Sequence, residues 1–164
     1  MQAVILAAGK STRTYPLTLT RPKALLTVAN KTILEHNLEQ MSGIIDEAII
    51  VVGYKKEMII NKFGENFGKI SIKYIEQKEQ LGTGHAIAKA EPLIKDRFIA
   101  VMCDDFYSKE DIKAVSRLSG YGIVAKEVED VERFGEVITE GKFVKNIIEK
   151  PVSPKTKLAN MGIY

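Results

Sequence analysis

Residues 6–23 of this chain read LAAGKSTRTYPLTLTRPK, where a short apolar strand runs directly into a loop of small residues and cations. Small residues let backbone N–H groups approach an anion closely, and the cations Lys10, Arg13 and Lys23 can neutralise its charge. The loop has neither the G-x-x-x-x-G-K-[ST] spacing of a Walker loop nor the G-x-G-x-x-G spacing of a dinucleotide fold. These residues therefore predict a polyphosphate-binding loop at the end of a strand.

The alternation of apolar strands and amphipathic helices predicts an α/β fold with a largely parallel central sheet. One helix, from Ile33 to about Ser42, begins with the capping box Thr32-x-x-Glu35 and ends at Gly43. From Val137 onward, short strands with turn residues indicate an antiparallel excursion near the C-terminus. The predicted strands are Ala3–Ala8, Ala48–Val52, Ile70–Ile75, Phe98–Met102 and Gly122–Lys126, and the other helices are Glu57–Phe63, Gly84–Leu93 and Asp111–Leu118.

The composition excludes several classes of protein. With 164 residues, 45% of them hydrophobic, the chain can bury the core of one domain. Its net charge of +3 is not concentrated in a basic stripe, which argues against a nucleic-acid partner. No apolar run is long enough to span a bilayer, no secretory signal is visible, and the single cysteine fits a reducing compartment. We therefore expect a cytoplasmic protein without a membrane partner. A zinc site is not expected, because Cys103, His36 and His85 are far apart in sequence.

The first loop resembles the signature loop of the sugar-phosphate nucleotidyltransferases, whose pattern is roughly G-x-G-T-R-x-x-P-x-T-x-x-x-P-K. The chain departs from it at Ser11, where the pattern has its second glycine, so we expect a backbone shape there that glycine adopts more easily. The resemblance covers nearly the whole chain and implies a Rossmann-like three-layer αβα domain. It assigns catalysis to Arg13 and Lys23, and nucleotide contacts to Leu6, Ala8, Gly9, Lys10, Ser11 and Thr12.

The resemblance also implies a domain organisation. We expect one nucleotidyltransferase domain over residues 1–164, with a nucleoside-triphosphate-binding part at about 1–105 and a sugar-phosphate-binding part at about 106–164. Members of the family continue beyond the position of Tyr164, so we expect the C-terminal strands and helices of the domain to be missing from this chain. A naturally short domain is the alternative.

The segment Glu76–Ala86, EQKEQLGTGHA, resembles the Q-x-x-x-L-G-T-G/A-x-A motif of uridylyltransferases that make UDP-N-acetylglucosamine. The amide of Gln77 carries both a donor and acceptors, so it can match the edge of a pyrimidine base. Gly82 lets the backbone approach the base, and Thr83 begins a helix. The plain alternative is an ordinary loop followed by a helix N-cap.

A buried strand, Phe98–Met102, is followed by Cys103, Asp104 and Asp105. Ligand sites of open α/β sheets lie at the carboxyl ends of strands, and Mg²⁺ prefers hard oxygen ligands. The resemblance makes Asp104 the metal ligand and places Cys103 where the family has glycine, whereas Asp105 is expected either to face solvent or to form a turn. Two aspartates that merely end a strand are the alternative. A nucleophilic role of Cys103 is disfavoured, because no base lies beside it in sequence.

Further motifs that match the family lie in the last third of the chain. Phe134-Gly135 matches the segment whose backbone N–H, at Gly135, holds a sugar hydroxyl, and Glu149-Lys150-Pro151 matches an E-K-P station. Glu149 would accept hydrogen bonds from sugar hydroxyls, Lys150 would meet the sugar phosphate, and Asn160 would contact the hexose. Each match alone can be explained by a hairpin, a surface ion pair or a strand end, so the order of the matches carries the assignment.

The implied reaction is a Mg²⁺-dependent transfer in which a sugar 1-phosphate attacks the α-phosphorus of UTP or dTTP and pyrophosphate leaves. The acceptor is N-acetylglucosamine 1-phosphate or glucose 1-phosphate, and Gln77 does not distinguish uracil from thymine, which share a hydrogen-bonding edge. Family members take a second metal ligand from a later strand, so activity of this chain alone is left open, as is a homo-oligomeric state. The competing interpretation is a non-catalytic nucleotide-sugar-binding or regulatory remnant of the family.

Overall fold

The strand that precedes the first loop is an interior strand of a five-stranded sheet in the computed structural model, which describes residues 1–164. The strands are β1 (Gln2–Ala7), β4 (Glu47–Val52), β5 (Asn66–Phe67), β6 (Ile70–Glu76) and β7 (Phe98–Met102), while β2 (Thr27–Val28) and β3 (Lys31–Thr32) form a separate hairpin. The order in the sheet is β5-β6-β4-β1-β7, in which β6, β4, β1 and β7 are parallel and β5 is antiparallel at the edge.

The two central strands are buried on both faces, as expected for a parallel sheet covered by helices. Every residue of β1 and of β4 is buried. On one face, Val4 and Leu6 of β1 pack with Ile49 and Val51 of β4 against Ala86 and Ala90. In these two strands the only polar residues are the first ones, Gln2 and Glu47.

The helices follow the predicted pattern with small shifts at their ends. The capping box at Thr32 and Glu35 is present, because the Glu35 N–H donates to Thr32 Oγ1 and the Thr32 N–H donates to the Glu35 carboxylate. Pro92 cannot donate a backbone hydrogen bond, and the third predicted helix ends at Ala90, followed by a 3₁₀ turn over Glu91–Leu93. The helices are α1 (Ile33–Met41), α2 (Lys56–Phe63), α3 (Thr83–Ala90) and α4 (Lys109–Ser116), the last capped by Ser108.

The C-terminal part of the chain forms a second, antiparallel sheet. Its strands are β8 (Ala125–Glu127), β9 (Gly135–Glu140), β10 (Phe143–Glu149) and β11 (Leu158–Asn160), in the order β10-β9-β11-β8. The strand predicted over Gly122–Lys126 is thus shorter and shifted to Ala125–Glu127, and it pairs with β11 rather than with the parallel sheet. The predicted antiparallel excursion after Val137 is the hairpin of β9 and β10.

Two compact units divide the chain, Met1–Arg117 and Leu118–Tyr164. The first contains the parallel sheet with all four helices, and the second contains the antiparallel sheet. A mostly parallel sheet with helices, followed by antiparallel strands, confirms the predicted α/β class. The assignment of one domain with a functional division near residue 105 stays a prediction. None of the helices combines the length and the apolar character needed to cross a membrane.

Candidate functional site

A cleft of about 230 Å³ opens at the carboxyl ends of β1, β6 and β7 in the first unit. This is the edge of an α/β sheet where ligands bind, because loops diverge there and backbone groups are left without strand partners. Of the residues predicted to bind nucleotide, metal or phosphate, nine line the cleft: Leu6, Ala8, Gly9, Ser11, Lys23, Gln77, Gly82, Thr83 and Asp104. The sheet therefore brings together segments that are up to 98 positions apart in sequence, from Leu6 to Asp104.

The loop after β1 is organised around the carbonyl group of Ser11. That oxygen accepts hydrogen bonds from the Thr14 N–H at 3.1 Å, from Thr14 Oγ1 at 2.7 Å and from Thr18 Oγ1 at 2.8 Å. Ser11 itself has φ 51 and ψ 46, the left-handed conformation. The expectation that this position needs a glycine-like backbone is thus confirmed, and the Thr14 and Thr18 hydroxyls hold a serine in it.

Three residues of the loop lie outside the lining of the cleft. Lys10, Thr12 and Arg13 are exposed, and Thr12 and Arg13 belong to a 3₁₀ turn over Thr12–Thr14. Because these side chains extend into solvent from a short turn, packing does not fix their charged and polar groups toward the cleft. Their predicted phosphate contacts therefore stay predictions.

Lys23 and Asp104 form an ion pair within the cleft. Lys23 begins a 3₁₀ turn after Pro22, and Asp104 lies in the turn that follows β7, so the two charged groups come from separate segments of the chain. The distance from Lys23 Nζ to Asp104 Oδ2 is 2.9 Å, and the two side chains are 25% and 34% exposed. A cation and a hard oxygen donor are thus placed side by side in the cleft.

The donors at this place fit a Mg²⁺ ion of the kind found with nucleotides, which takes one or two carboxylates from the protein and other oxygens from phosphates and water. Asp104 offers one carboxylate toward the cleft. No group of three or more His, Cys, Asp or Glu side chains is arranged to hold a metal without such help. The residues present therefore suit a metal whose other oxygen ligands come from a bound ligand and water, rather than a metal held by the protein alone.

The neighbours of Asp104 are placed differently. Cys103 is buried, and burial followed by the Asp104 charge raises the pKa of its thiol, so the thiol stays protonated and a nucleophilic role is not supported. Asp105 lies exposed in the turn, as expected. Partial loss of solvent and then the adjacent Asp104 charge raise the pKa of the Asp105 carboxyl. The Asp105 carbonyl accepts a hydrogen bond of 2.8 Å from Asn37 Nδ2, which anchors this turn to α1.

The segment after β6 presents Gln77 to the same cleft. The Gln77 amide nitrogen is 3.3 Å from the carbonyl oxygen of Gly82 and 2.9 Å from His85 Nδ1. Gly82 has φ 96 and ψ 179, a conformation open to glycine and strained for other residues, and it directly precedes α3. The predicted Gln77, Gly82 and Thr83 therefore do lie together at the cleft.

Two contributors to this part of the site were missed by reasoning from the sequence. Gln80 lines the cleft and donates from Nε2 to the carbonyl oxygen of Ala8 at 2.9 Å, which ties the two loops together. His85 holds the amide of Gln77. The sequence indicated only that these two polar residues lie inside a recognised motif. It could not show their hydrogen-bond partners, because residues such as Gln80 and Ala8 are 72 positions apart.

In the second unit, three of the predicted sugar-phosphate residues lie around one point. A Cβ atom at Gly135 would be 3.3 Å from Glu149 Oε2 and 3.5 Å from Asn160 Cβ, so glycine leaves room for both neighbours. Lys150 follows β10 with φ 46, and its N–H donates to the Phe134 carbonyl at 2.8 Å. The three strands β9, β10 and β11 thus bring Gly135, Glu149 and Asn160 together.

Asn160 is held by its own neighbours. Its Nδ2 donates to the Tyr164 hydroxyl at 2.7 Å, and its Oδ1 accepts from the Gly162 N–H at 3.1 Å. The expected hexose contact of Asn160 stays a prediction, as do the roles of Gly135, Glu149 and Lys150.

Glu136 is a further residue that the sequence did not reveal. It is completely buried, which is rare for a carboxylate. Its Oε1 accepts hydrogen bonds from the N–H groups of Lys155 and Thr156 at 2.5 and 2.6 Å, whereas Oε2 is buried with no partner. The loop over residues 151–157 connects Lys150 to β11. Through these hydrogen bonds, Glu136 holds this loop against β9.

Comparison with known proteins gives matches over the whole chain. The family model described as Nucleotidyl transferase matches residues 2–164. The bifunctional protein GlmU of Methanocaldococcus jannaschii is 39% identical over 167 residues, which cover 100% of this chain and 39% of that protein. The UTP–glucose-1-phosphate uridylyltransferase AglF of Haloferax volcanii is 34% identical over 173 residues, covering 100% of this chain and 71% of that protein.

The fold is also found among solved structures. A structure described as UDP-glucose pyrophosphorylase complexed with UDP-glucose superposes with a TM-score of 0.84 at 25% identity, covering 99% of this chain and 74% of that chain. This likeness confirms the predicted Rossmann-like nucleotidyltransferase fold. The chain spans only 39% of the length of the GlmU protein that it matches.

Proposed function

The chain belongs to the Nucleotidyl transferase family, and on this premise we propose that it joins a sugar 1-phosphate to UTP or dTTP, forming a nucleotide-sugar and releasing pyrophosphate. The observation that carries the proposal is a cleft lined both by the Lys23–Asp104 pair and by the Gln77–Gly82 segment. Groups suited to a phosphate and groups suited to a base are thereby presented to one ligand.

The relatives support this substrate class. The protein of Haloferax volcanii is named for the transfer of a uridylyl group to glucose 1-phosphate, and the superposed pyrophosphorylase is described with UDP-glucose. Both names join a uridine nucleotide to a hexose. We therefore take glucose 1-phosphate and N-acetylglucosamine 1-phosphate as the acceptors to test, with UTP and dTTP as donors. No feature of the cleft favours the alternative of a non-catalytic remnant.

The proposed chemistry needs positioning and charge stabilisation rather than a nucleophilic side chain. The sugar phosphate oxygen attacks the α-phosphorus in line, and Lys23, which lines the cleft, offsets negative charge that builds on the phosphate oxygens. Arg13 would reach the outer phosphates from its exposed turn, donating two hydrogen bonds from its planar guanidinium to one phosphate group. Both cations act on charge that is greatest in the transition state.

Metal dependence is part of the proposal. Mg²⁺ bound through Asp104 would neutralise phosphate charge and orient the leaving group. In the free protein Lys23 occupies that carboxylate at 2.9 Å, so Lys23 must turn from Asp104 toward phosphate when the metal and nucleotide bind. The ion pair keeps both groups in the cleft until then. A cytoplasmic location fits the lone cysteine and belongs to the same proposal.

The test is pyrophosphate release from UTP, dTTP, CTP, ATP and GTP, each with the two hexose 1-phosphates, in the presence and absence of Mg²⁺. Turnover with UTP or dTTP that requires Mg²⁺ and disappears in Asp104→Ala supports the proposal. Asp111→Ala, at an exposed carboxylate near the start of α4, is the matched control and should retain turnover. Failure of both this chain and a longer form to bind or convert any of the nucleotides would refute it.

A further inference from the structure

We propose that His85 is a positioning residue that sets the choice of base, because it holds the amide of Gln77 with its oxygen directed to the ligand. The cleft then presents an acceptor, and it favours uracil or thymine, whose ring N3 carries a hydrogen, over cytosine, whose N3 does not. The inference rests on the proposed function and extends it to a residue that does not itself line the cleft.

The orientation of the Gln77 amide follows from its partners. The carbonyl oxygen of Gly82 can only accept a hydrogen bond, so the group 3.3 Å from it must be the Gln77 NH₂. The same nitrogen lies 2.9 Å from His85 Nδ1. Because that NH₂ is a donor, His85 Nδ1 must be the acceptor, and the proton of the neutral imidazole therefore sits on Nε2.

Both hydrogens of the Gln77 amide are thus occupied within the protein. Gln77 is only 5% exposed, and none of the chain's donors is hydrogen-bonded to its Oε1. Since Gln77 lines the cleft, the group that it offers to a ligand is the Oε1 acceptor. An amide with free donors could turn over and offer either end, whereas this one cannot without breaking two hydrogen bonds.

The position of His85 is fixed by the helix that carries it. Ala86, the next residue of α3, is buried with Ala90 against the core of β1 and β4. The backbone N–H of Gln77 is held in turn by the Val52 carbonyl at 2.8 Å. The packing of α3 on the core and the backbone hydrogen bond of Gln77 therefore set the distance between the imidazole and the amide. The hydrogen bond between the two side chains thus does not depend on a mobile loop.

The hydrogen-bonding groups of the bases explain why this orientation of the Gln77 amide would favour uracil and thymine over cytosine. Uracil and thymine present N3–H between two carbonyl oxygens, and a lone acceptor can receive that hydrogen. Cytosine presents an unprotonated N3 at the same place, so two lone pairs would face each other and a hydrogen bond would be lost. A buried polar group left without its partner loses binding affinity by a factor on the order of ten or more.

The experiment measures the affinities of UTP and CTP by titration calorimetry for the wild-type chain, His85→Ala and His85→Asn. The wild type should prefer UTP. In His85→Ala the amide can turn and donate to cytosine N3, so the preference should fall about tenfold. The asparagine side chain of His85→Asn would place its Oδ1 near the position of Nδ1, so this variant should retain much of the preference. Equal weakening of both nucleotides in His85→Ala, or an unchanged ratio, would overturn the inference.

A second measurement is independent of any substitution. ¹⁵N NMR of the imidazole distinguishes a nitrogen that carries a proton from one that accepts a hydrogen bond. We expect the neutral imidazole of His85 to carry its proton on Nε2 and to accept through Nδ1, and the reverse tautomer would overturn the inference. If the wild type binds UTP and the ratio of UTP to CTP affinity does not depend on His85, only this inference fails. If it binds no nucleotide, the proposed function fails and the inference with it.

Discussion

Ser11 shows how one residue is accommodated against its intrinsic preference. A non-glycine residue in the left-handed conformation costs roughly 1–2 kcal/mol. Here the Ser11 carbonyl receives hydrogen bonds from the backbone and side chain of Thr14 and from the side chain of Thr18, which is completely buried. These contacts offset the cost and hold the loop over the cleft, so the departure from the family pattern at this position leaves the loop intact.

Lys23 provides the first prediction at the residue scale. Replacing it with alanine removes the ammonium group that lies 2.9 Å from Asp104 in the cleft. We expect pyrophosphate release to fall by about 10²–10³-fold, as for the loss of one charge-stabilising donor. Lys113→Ala, at an exposed lysine of α4, is the control and should leave turnover unchanged. Near-normal turnover of Lys23→Ala would contradict the catalytic role.

Glu136 provides the second prediction at the residue scale, which concerns stability. In Glu136→Ala the N–H groups of Lys155 and Thr156 lose their acceptor, so we expect the free energy of unfolding to fall by about 1–3 kcal/mol. Glu136→Gln keeps one acceptor oxygen for both donors and replaces Oε2, which has no partner, with an uncharged group. Urea denaturation should therefore show a much smaller loss for glutamine. Equal losses in the two variants would show that Oε1 does not anchor the loop.

At the scale of the elements, Gly53 decides how closely the ends of three strands converge. It follows β4, and a Cβ atom there would lie 2.7 Å from the Ala8 oxygen and 3.1 Å from the Gln77 oxygen. Gly53→Ala must therefore push apart the loops after β1 and β6, at a cost of about 1–3 kcal/mol in stability. Because both loops line the cleft, we also expect weaker nucleotide binding, measured by calorimetry.

Gly84 offers the matched control for this change. It lies in α3, and no neighbouring atom would come within 4 Å of a Cβ atom added there. Gly84→Ala should keep or raise stability by up to about 1 kcal/mol, because alanine favours a helix. Loss of stability in both variants would mean that the effect at residue 53 does not come from the close approach of backbones.

Glu47 couples the three strands β1, β4 and β6 and makes their stability depend on pH. A hydrogen bond from Lys73, then one from Gln2, lower the pKa of the Glu47 carboxyl from its usual 4.5. Since the pKa is lower in the folded state, the stabilisation is complete above pH 4.5 and is lost as the pH falls through the folded value. Denaturation of Glu47→Gln from neutral to acid pH should show a smaller loss of stability than the wild type. An identical pH profile would rule out this carboxylate as a contributor.

At the scale of the whole molecule, ligand binding should be visible as stabilisation even where turnover is slow. A nucleotide present at about 100 times its Kd stabilises the folded state by about 2.7 kcal/mol. For a chain of this size that corresponds to an increase in Tm of roughly 5–10 °C. Calorimetric scans with UTP and Mg²⁺ should show this shift. Sodium sulfate at the same ionic strength is the control, and an equal shift with sulfate would mean that binding is not specific.

The sequence predicted correctly those features that depend on interactions between residues close together in the chain. The capping box at Thr32 lies within four residues, and hydrophobic patterning located β1, β4, β6 and β7 to within about one residue at each end. At α3 the boundary error also has a local cause, because Pro92 ended the helix early. At β8 the cause is not local, because the bounds of this strand are those of the residues that pair with β11, which lies much later in the chain.

By itself the sequence determined the α/β class, the loop of small residues after β1 and most residues that line the cleft, because each depends on a short pattern of spacing and side-chain type. Only the tertiary structure decided that Lys23 pairs with Asp104, that Glu136 is buried under a loop and that His85 holds Gln77. The physical reason is that these contacts are made by side chains whose geometry follows from how strands, helices and loops pack. Sequence therefore identifies the groups available for chemistry, and packing determines which of their atoms face the ligand.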